Sequence, residues 1–330
     1  MDIKQTIQQK AYDLGITFCE FVPASIQFSQ EQFNDWYSKG YAADMTWFAE
    51  NQEKRANPNL LFPEAKTIIV CGINYWQKQA ERQGAIATYA LGRDYHKVLG
   101  NKLRALCKYI EELGGKSKCF VDTAPVFERS IGEIAGIGWQ GNSSLLVSKK
   151  HGTYFFLGEI FTNIELECYI KKCENCCGTC RKCIESCPTG AIVSAGKVDA
   201  NKCISYLTIE NKGQIPKKFR KKIGNRLYGC DECNKACPWN KNISEMQEKD
   251  FAAREYPSAR EILFLSKEEF SQIFAGSPIH RIKLEGLQRN ACIVLGNIGS
   301  KEDVPALQNA AKSENQNVRE SAEWALKQFS

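Results

Sequence analysis

The chain has 330 residues, 43% of them hydrophobic, with a net charge of +6 and sixteen cysteines, enough to bury cores in two or three domains of about 100–200 residues. Neither a run of about 18 apolar residues nor an apolar leader core after Met1-Asp2-Ile3-Lys4-Gln5 is present, so membrane spanning and export are not expected and a cytoplasmic location is. Cytosolic thiols stay reduced, which argues against a disulfide framework and for metal ligation.

In chain order, strand patterns fall at Thr67–Ile73, Lys118–Val121, Ser144–Ser148 and Tyr154–Phe161, with helical patterns at Tyr95–Leu113 and Phe127–Ala135. This alternation predicts an α/β domain over 1–165. Cysteine density then rises and periodicity fades over 166–243, as expected of a small metal-organised module. From 244 to 330 the pattern is helical. There Leu287, Ala291 and Leu295 fall on Val318, Ala322 and Leu326 at an offset of 31 residues, which suggests a HEAT-like helix pair; two ordinary amphipathic helices would give similar spacing.

Cys177-x2-Cys180-x2-Cys183-x3-Cys187-Pro188 is the bacterial ferredoxin run, whose fourth cysteine ligates the other cluster. A partner set follows: Cys203, then Cys230-x2-Cys233-x3-Cys237-Pro238. The crossover rule assigns Cys177, Cys180, Cys183 and Cys237 to one 4Fe-4S cluster and Cys187, Cys203, Cys230 and Cys233 to a second, in a ferredoxin-like module. Paired zinc sites are the alternative, but zinc needs neither the third cysteine nor the Cys-Pro endings. Cys173 and Cys176 lie just outside the run, and Cys19, Cys71, Cys107, Cys119, Cys168 and Cys292 are scattered, most simply unliganded.

Between Cys203 and Cys230 stand 26 residues, where a small ferredoxin has about two. The insertion carries Lys212, Lys217, Lys218, Arg220, Lys221, Lys222 and Arg226 without an acidic residue from Lys212 on, a block that attracts polyanions. A dedicated electron carrier would not need the large α/β domain, so the clusters are expected to feed a reaction centre there.

Three signals in the first domain are weaker. Gly136-Ile137-Gly138-Trp139-Gln140-Gly141 fits G-x-G-x-x-G, but a helix precedes it and a strand follows, the reverse of a dinucleotide site. A glycine-rich helix exit that lets backbone approach a large ligand is the better reading. Asp94-Tyr95-His96-Lys97-Val98-Leu99-Gly100 approaches the D-x-H-x-x-G signature of cobalt-ligating histidines with one residue too many; otherwise Asp94 caps the following helix. Asp122 follows an apolar strand, where a carboxyl could donate a proton or merely cap a turn.

Together these segments resemble the epoxyqueuosine reductase family, cobalamin and iron-sulfur enzymes that complete the queuosine base in tRNA. The resemblance runs through Glu53-Lys54-Arg55 with Pro58, Asp94-Tyr95-His96, Val121-Asp122-Thr123, Ala135-Gly136-Ile137-Gly138, the cysteine set, Cys203-Ile204-Ser205, and Gly224-Asn225-Arg226-Leu227-Tyr228-Gly229-Cys230-Asp231. It implies a base-off cobalamin between the first domain and the cluster module, Asp122 as proton donor, and Arg55, Tyr95, His96, Asp122 and Ser205 near the cofactor. Asn142-Ser143 stand where the family usually reads Lys-Asn, so a lysine role does not carry over; Asn142, Ser143 and Ser144 are kept as backbone contacts to the corrin. Ala124 replaces the family's usual glycine.

The resemblance also implies that Lys217, Lys218, Arg220, Lys221, Lys222 and Arg226, with the helical tail, hold a tRNA anticodon arm. A low-potential external electron donor and a monomeric enzyme are expected. A reductive-dehalogenase-like enzyme acting on a small molecule and a plain electron carrier are the alternatives. One absorption spectrum with added cobalamin separates the carrier.

Overall fold

Thr67–Asn74 and Phe155–Thr162 are buried at every position, the pattern of strands covered on both faces. In the structure, a computed structural model that describes residues 2–171 and 173–329, they pair at the centre of a four-stranded sheet. Naming its strands β1 (Phe18–Pro23), β2 (Thr67–Asn74), β3 (Ser117–Phe120) and β4 (Phe155–Thr162), the order is β1-β2-β4-β3, each neighbouring pair antiparallel. The edge strand β1 was not expected.

Side chains alternate between two cores. Ile69, Cys71, Ile73, Phe156 and Ile160 meet Ile7 and Ala11 of α1 (Ile3–Asp13) and Leu99, Leu103, Leu106 and Ile110 of α2 (Tyr95–Glu112). Ile68, Val70, Phe155, Leu157 and Phe161 meet Ile131 of α3 (Glu128–Ile134). Each fully buried aliphatic side chain contributes about 1.5–3 kcal/mol. Helices cover both faces, as an α/β reading requires, and α2 crosses over between β2 and β3, which run parallel. The sheet is nevertheless antiparallel at every neighbouring pair, because β4 returns through the gap that the crossover leaves between them. Gly158 of β4 lets α2 lie close: a Cβ there would stand 2.7 Å from Leu103 Cδ1.

The glycine segment after α3 is a helix exit, as expected, and leads into a tight hairpin. Gly136 exits the helix at φ +80°, and Gly138 lies where a Cβ would stand 1.9 Å from the Val147 carbonyl oxygen. Trp139–Gln140 pairs with Leu146–Val147. The close approach is between the two arms of this hairpin, which the absence of Cβ at Gly138 permits.

The cysteine-rich segment consists of short helices, including α4 (Ile204–Ile209) and α5 (Lys217–Ile223). Arg226–Tyr228 pairs in parallel with Ala85–Ile86, tying the module to the first domain. Downstream, α6 (Lys283–Ile298), α7 (Val304–Ala310) and α8 (Gln316–Leu326) form the helical end. The offset residues do face one core: Leu287, Ala291, Leu295, Val318 and Ala322 are buried together, with Leu326 partly so. Gly296 permits the close crossing, since a Cβ there would stand 2.8 Å from Ala325 Cα.

The expected boundaries do not separate independent cores. Ile86, Leu91, Leu227 and Tyr228 join the C-terminal core. The segment just after 243 returns to the sheet domain: Asn74 Nδ2 donates to the Ser244 carbonyl at 2.7 Å, and Phe251 packs in the core under α2. Among the described residues no helix is long and apolar enough to cross a membrane.

Candidate functional site

Asp94 is the N-cap of α2 and accepts the His96 N–H at 3.0 Å, so Tyr95 and His96 occupy the first turn, beside the carboxyl end of β3. Asp122, two residues beyond β3, adopts a left-handed φ of +54°, which points its carboxylate back over that turn. Tyr95 Oη donates to Asp122 Oδ2 at 2.8 Å, and His96 Nε2 lies 3.1 Å from the same oxygen. His96 Nδ1 lies 2.8 Å from Asp94 Oδ1. Tyr95 is itself fixed between rings, stacked on Phe156 at 4.2 Å and on His96 at 4.1 Å.

The electrostatics follow from this chain of contacts. Burial alone would pull the His96 pKa down, but the hydrogen bonds and charges of Asp122 and Asp94 reverse that and raise it to about 9. Burial pushes Asp122 up, yet His96 and Tyr95 hold it below the ordinary carboxylate value. At neutral pH the pair is therefore imidazolium and carboxylate. The Asp122 side chain remains 56% exposed although burial is the largest influence on its pKa, which describes a carboxylate in an open recess ringed by protein.

Both ring nitrogens of His96 are engaged by carboxylates. The capping reading of Asp94 holds, since its side chain accepts the His96 N–H. Arg55 lies close enough to feel Asp122 and Glu128. Its guanidinium stands 5.6 Å from the Phe48 ring centroid, and its buried Nε has no partner among the described residues.

Three groups near this recess or buried in the sheet escaped the sequence reading. Glu128, in the first turn of α3, accepts the Asp122 N–H at 2.5 Å; burial, then the charge of Asp122, pushes its pKa up to about 8. Arg129 Nη1 donates to Ser144 Oγ at 2.7 Å and to the Ser144 carbonyl. Glu159 of β4 is fully buried, and neither carboxyl oxygen has a partner among the described residues. A signal for Glu159 was present: it is the only ionisable residue in Phe155-Phe156-Leu157-Gly158-Glu159-Ile160-Phe161, a run that reads as a buried strand.

The structure brings the eight cysteines together in two groups. Cys177, Cys180, Cys183 and Cys237 line one cavity together with Asn142, Ser143 and Trp239; Cys176 borders it too. Cys233 has Cys203, Cys230 and Cys187 as its near thiols. Backbone and ring N–H groups point at the sulfurs: Trp139 Nε1 to Cys177 at 3.3 Å and Ala191 N to Cys187 at 3.2 Å. Asn142 turns to this side, its amide donating to the Cys180 carbonyl at 2.7 Å, while Ser144 is held by Arg129. Ser205 follows Cys203 in the first turn of α4.

The basic insertion divides by orientation. Lys217, Lys218, Lys221 and Lys222 are exposed on α5. Arg220 is 2% exposed and spent internally, donating to the Ile215 carbonyl at 3.0 Å and to Gln214 Oε1 at 2.8 Å, so it is removed from the RNA-facing set. Arg226 pairs with Glu232 at 2.9 Å and is only partly available.

An open recess with a carboxylate–imidazolium–phenol group, joined to a module holding two groups of four cysteines, defines a two-cluster iron-sulfur redox protein with its own reaction site. Residues 55–123 match the family described as "Epoxyqueuosine reductase QueG, DUF1730", and residues 176–240 the "4Fe-4S double cluster binding domain". The first match begins at Arg55 and contains Tyr95, His96 and Asp122. The epoxyqueuosine reductase of Francisella cf. novicida is 40% identical, covering 89% of this chain and 87% of its own. That of Escherichia coli K12 is 37% identical, covering 99% and 89%. A crystal structure of epoxyqueuosine reductase with an epoxyqueuosine-modified tRNA-Tyr stem loop superposes with a TM-score of 0.93 at 31% identity, covering 99% and 90%. A Bacillus subtilis epoxyqueuosine reductase, described with its Asp catalytic loop swung out of the active site, gives a TM-score of 0.89 at 30% identity, covering 99% and 90%. The chain belongs to the epoxyqueuosine reductase family.

Proposed function

We propose that this chain reduces epoxyqueuosine to queuosine at the wobble position of tRNA, in the cytoplasm and as a monomer supplied by an external low-potential electron donor. The observation that carries the reading is the Asp122, Tyr95 and His96 group standing in an open recess of a chain whose eight ferredoxin-type cysteines gather in two fours. Removing the epoxide oxygen to leave an alkene and water takes two electrons and two protons. The cysteine groups would hold the 4Fe-4S clusters that carry the electrons.

The recess fits cobalamin by the chemistry of its walls. Arg55 has an unpartnered buried Nε for an amide acceptor of the corrin fringe. Arg55, Tyr95 and His96 would hold the group from the sheet domain, and Asn142, Ser143, Ser144 and Ser205 from the cluster side. When bound, cobalamin supplies a metal that exchanges two electrons with the substrate. Asp122 would present its Oδ2 to the departing oxygen and pass on a proton held by His96 Nε2, so that the oxygen does not leave as an alkoxide. The exposed lysines of α5 and the HEAT-like helices α6 to α8 would take the phosphates of the anticodon arm.

The test is anaerobic reconstitution with iron, sulfide and cobalamin, followed by reaction with epoxyqueuosine-containing tRNA. A corrin absorbance retained on the protein and conversion to queuosine in the nucleoside digest are expected. Iron-sulfur absorbance alone, with no conversion, would leave only an electron carrier.

A further inference from the structure

The glycine run that follows α3 brings an indole onto one of the cluster cysteines. Gly141, like Gly138, has no room for a side chain: a Cβ there would stand 2.6 Å from Val147 Cγ2 and 3.6 Å from Cys177 Sγ. The hairpin therefore lies against Cys177, and Trp139, paired across it with Val147, is 1% exposed. Trp139 Nε1 donates to Cys177 Sγ at 3.3 Å. The ring is held edge-on to Trp239, with centroids 5.3 Å apart, and Trp239 borders the cavity that Cys177, Cys180, Cys183 and Cys237 line. An indole N–H can only donate, and a thiol is a weak acceptor for it. An iron-bound thiolate is a stronger one, so this buried donor suits the sulfur in its ligating state.

We propose that Trp139 raises the reduction potential of the cluster held by Cys177, Cys180, Cys183 and Cys237, through an indole N–H···S bond that favours its reduced form. The inference rests on the iron-sulfur half of the reading above. Reduction adds one electron, whose charge spreads over iron and sulfur. An N–H aimed at a sulfur is then held more tightly, so the reduced state is stabilised and the potential rises; hydrogen bonds to the sulfurs are one of the levers that set such potentials. Burial strengthens the bond, because the surrounding dielectric is low. No proton moves: the indole keeps its N–H in both states, while the electron arrives from the external donor and leaves for the reaction site. The second group has a backbone donor instead, Ala191 N to Cys187 Sγ at 3.2 Å, so Trp139 acts on one cluster of the two. It is a positioning residue, acting through a cluster ligand and not on the reacting oxygen.

The test is a redox titration, followed by electron paramagnetic resonance, of reconstituted wild type, Trp139→Phe and a protein carrying 3-benzothienylalanine in place of Trp139. The benzothienyl ring keeps the size of the indole and replaces only its N–H, so it gives the answer even where the phenylalanine variant loses its clusters. One of the two midpoints should fall. Its ratio of reduced to oxidised cluster at a fixed potential should drop about three- to tenfold, which is ~28–59 mV for one electron. The other midpoint should stay, with iron and sulfide content as in wild type. Turnover should fall with a weak reductant and recover with a strong one in excess. Both midpoints unmoved, or one raised, overturns the proposal, as does loss of clusters from the benzothienyl protein, which would make the contact structural. If wild type holds both clusters but forms no queuosine, the reductase reading fails, while the midpoint shift still decides this one.

Discussion

His96 carries a pKa of about 9 because two carboxylates outweigh its burial, and this has a definite sign for stability. A histidine raised above its unfolded value of about 6.5 stabilises the fold fully below that pH and progressively less as pH rises through 9. The melting temperature of wild type minus that of His96→Asn should therefore be largest near pH 6 and shrink towards pH 9 and above. A difference that grows with pH would show that His96 is not held protonated. Asp122→Asn should keep clusters and cobalamin, since the amide is nearly isosteric, but lower turnover per bound cobalamin by about 10²–10⁴-fold. It should also lower the His96 pKa seen by NMR, because one of its two carboxylates is gone. Near-wild-type turnover per cobalamin would remove Asp122 from the chemistry.

Helix α5 illustrates how a charge run divides once it is folded. Lys217, Lys218, Lys221 and Lys222 are exposed, Lys221 with its Nζ over the Trp324 ring, while Arg220 holds the insertion to α8, reaching the Glu320 carbonyl at 3.4 Å. Changing the four lysines to alanine should weaken tRNA binding and flatten its dependence on salt by about 0.7–0.9 per lost phosphate contact, leaving iron content intact. An unchanged slope in a salt titration would exclude a phosphate role. Arg220→Ala should instead lower thermal stability. The two cysteine runs make the complementary case. Cys237→Ala should damage the cluster of Cys177, Cys180 and Cys183, and a structure of that variant showing the other cluster lost would refute the crossover.

At the scale of the whole molecule, the C-terminal helices are part of the enzyme's frame. Asn290 of α6 is buried and donates to the Thr208 carbonyl of α4 and to the Leu227 carbonyl, both at 2.9 Å. Arg289 beside it donates to the carbonyls of Leu207 and Gly213 at 3.0 and 2.6 Å. Asn290→Leu leaves two buried carbonyls without this donor, a loss of about 2–6 kcal/mol at 1–3 each. A melting temperature lower by several degrees, with faster cluster loss on storage, is expected; an unchanged one would show that α6 and the cluster module are not coupled through these bonds.

Local chemistry was legible from the sequence: strands β2 and β4 from largely apolar runs, α2 from its Asp94 cap and apolar spacing, and the two cysteine groups from ferredoxin-type spacing with its Cys-Pro endings. Asp122 and His96 were legible as candidates, chiefly through the family resemblance. What the sequence could not decide depends on which segments meet. The edge strand β1 is short and paired on one side, and the antiparallel insertion of β4 between β2 and β3 leaves no local trace. That Arg220 turns inward and that Glu159 is buried between Val70 and Phe120 are set by contacts between residues distant in sequence. Burial and charge proximity set the protonation of Glu128, His96 and Asp122, and both are properties of the folded surroundings, absent from the chain until it closes around them.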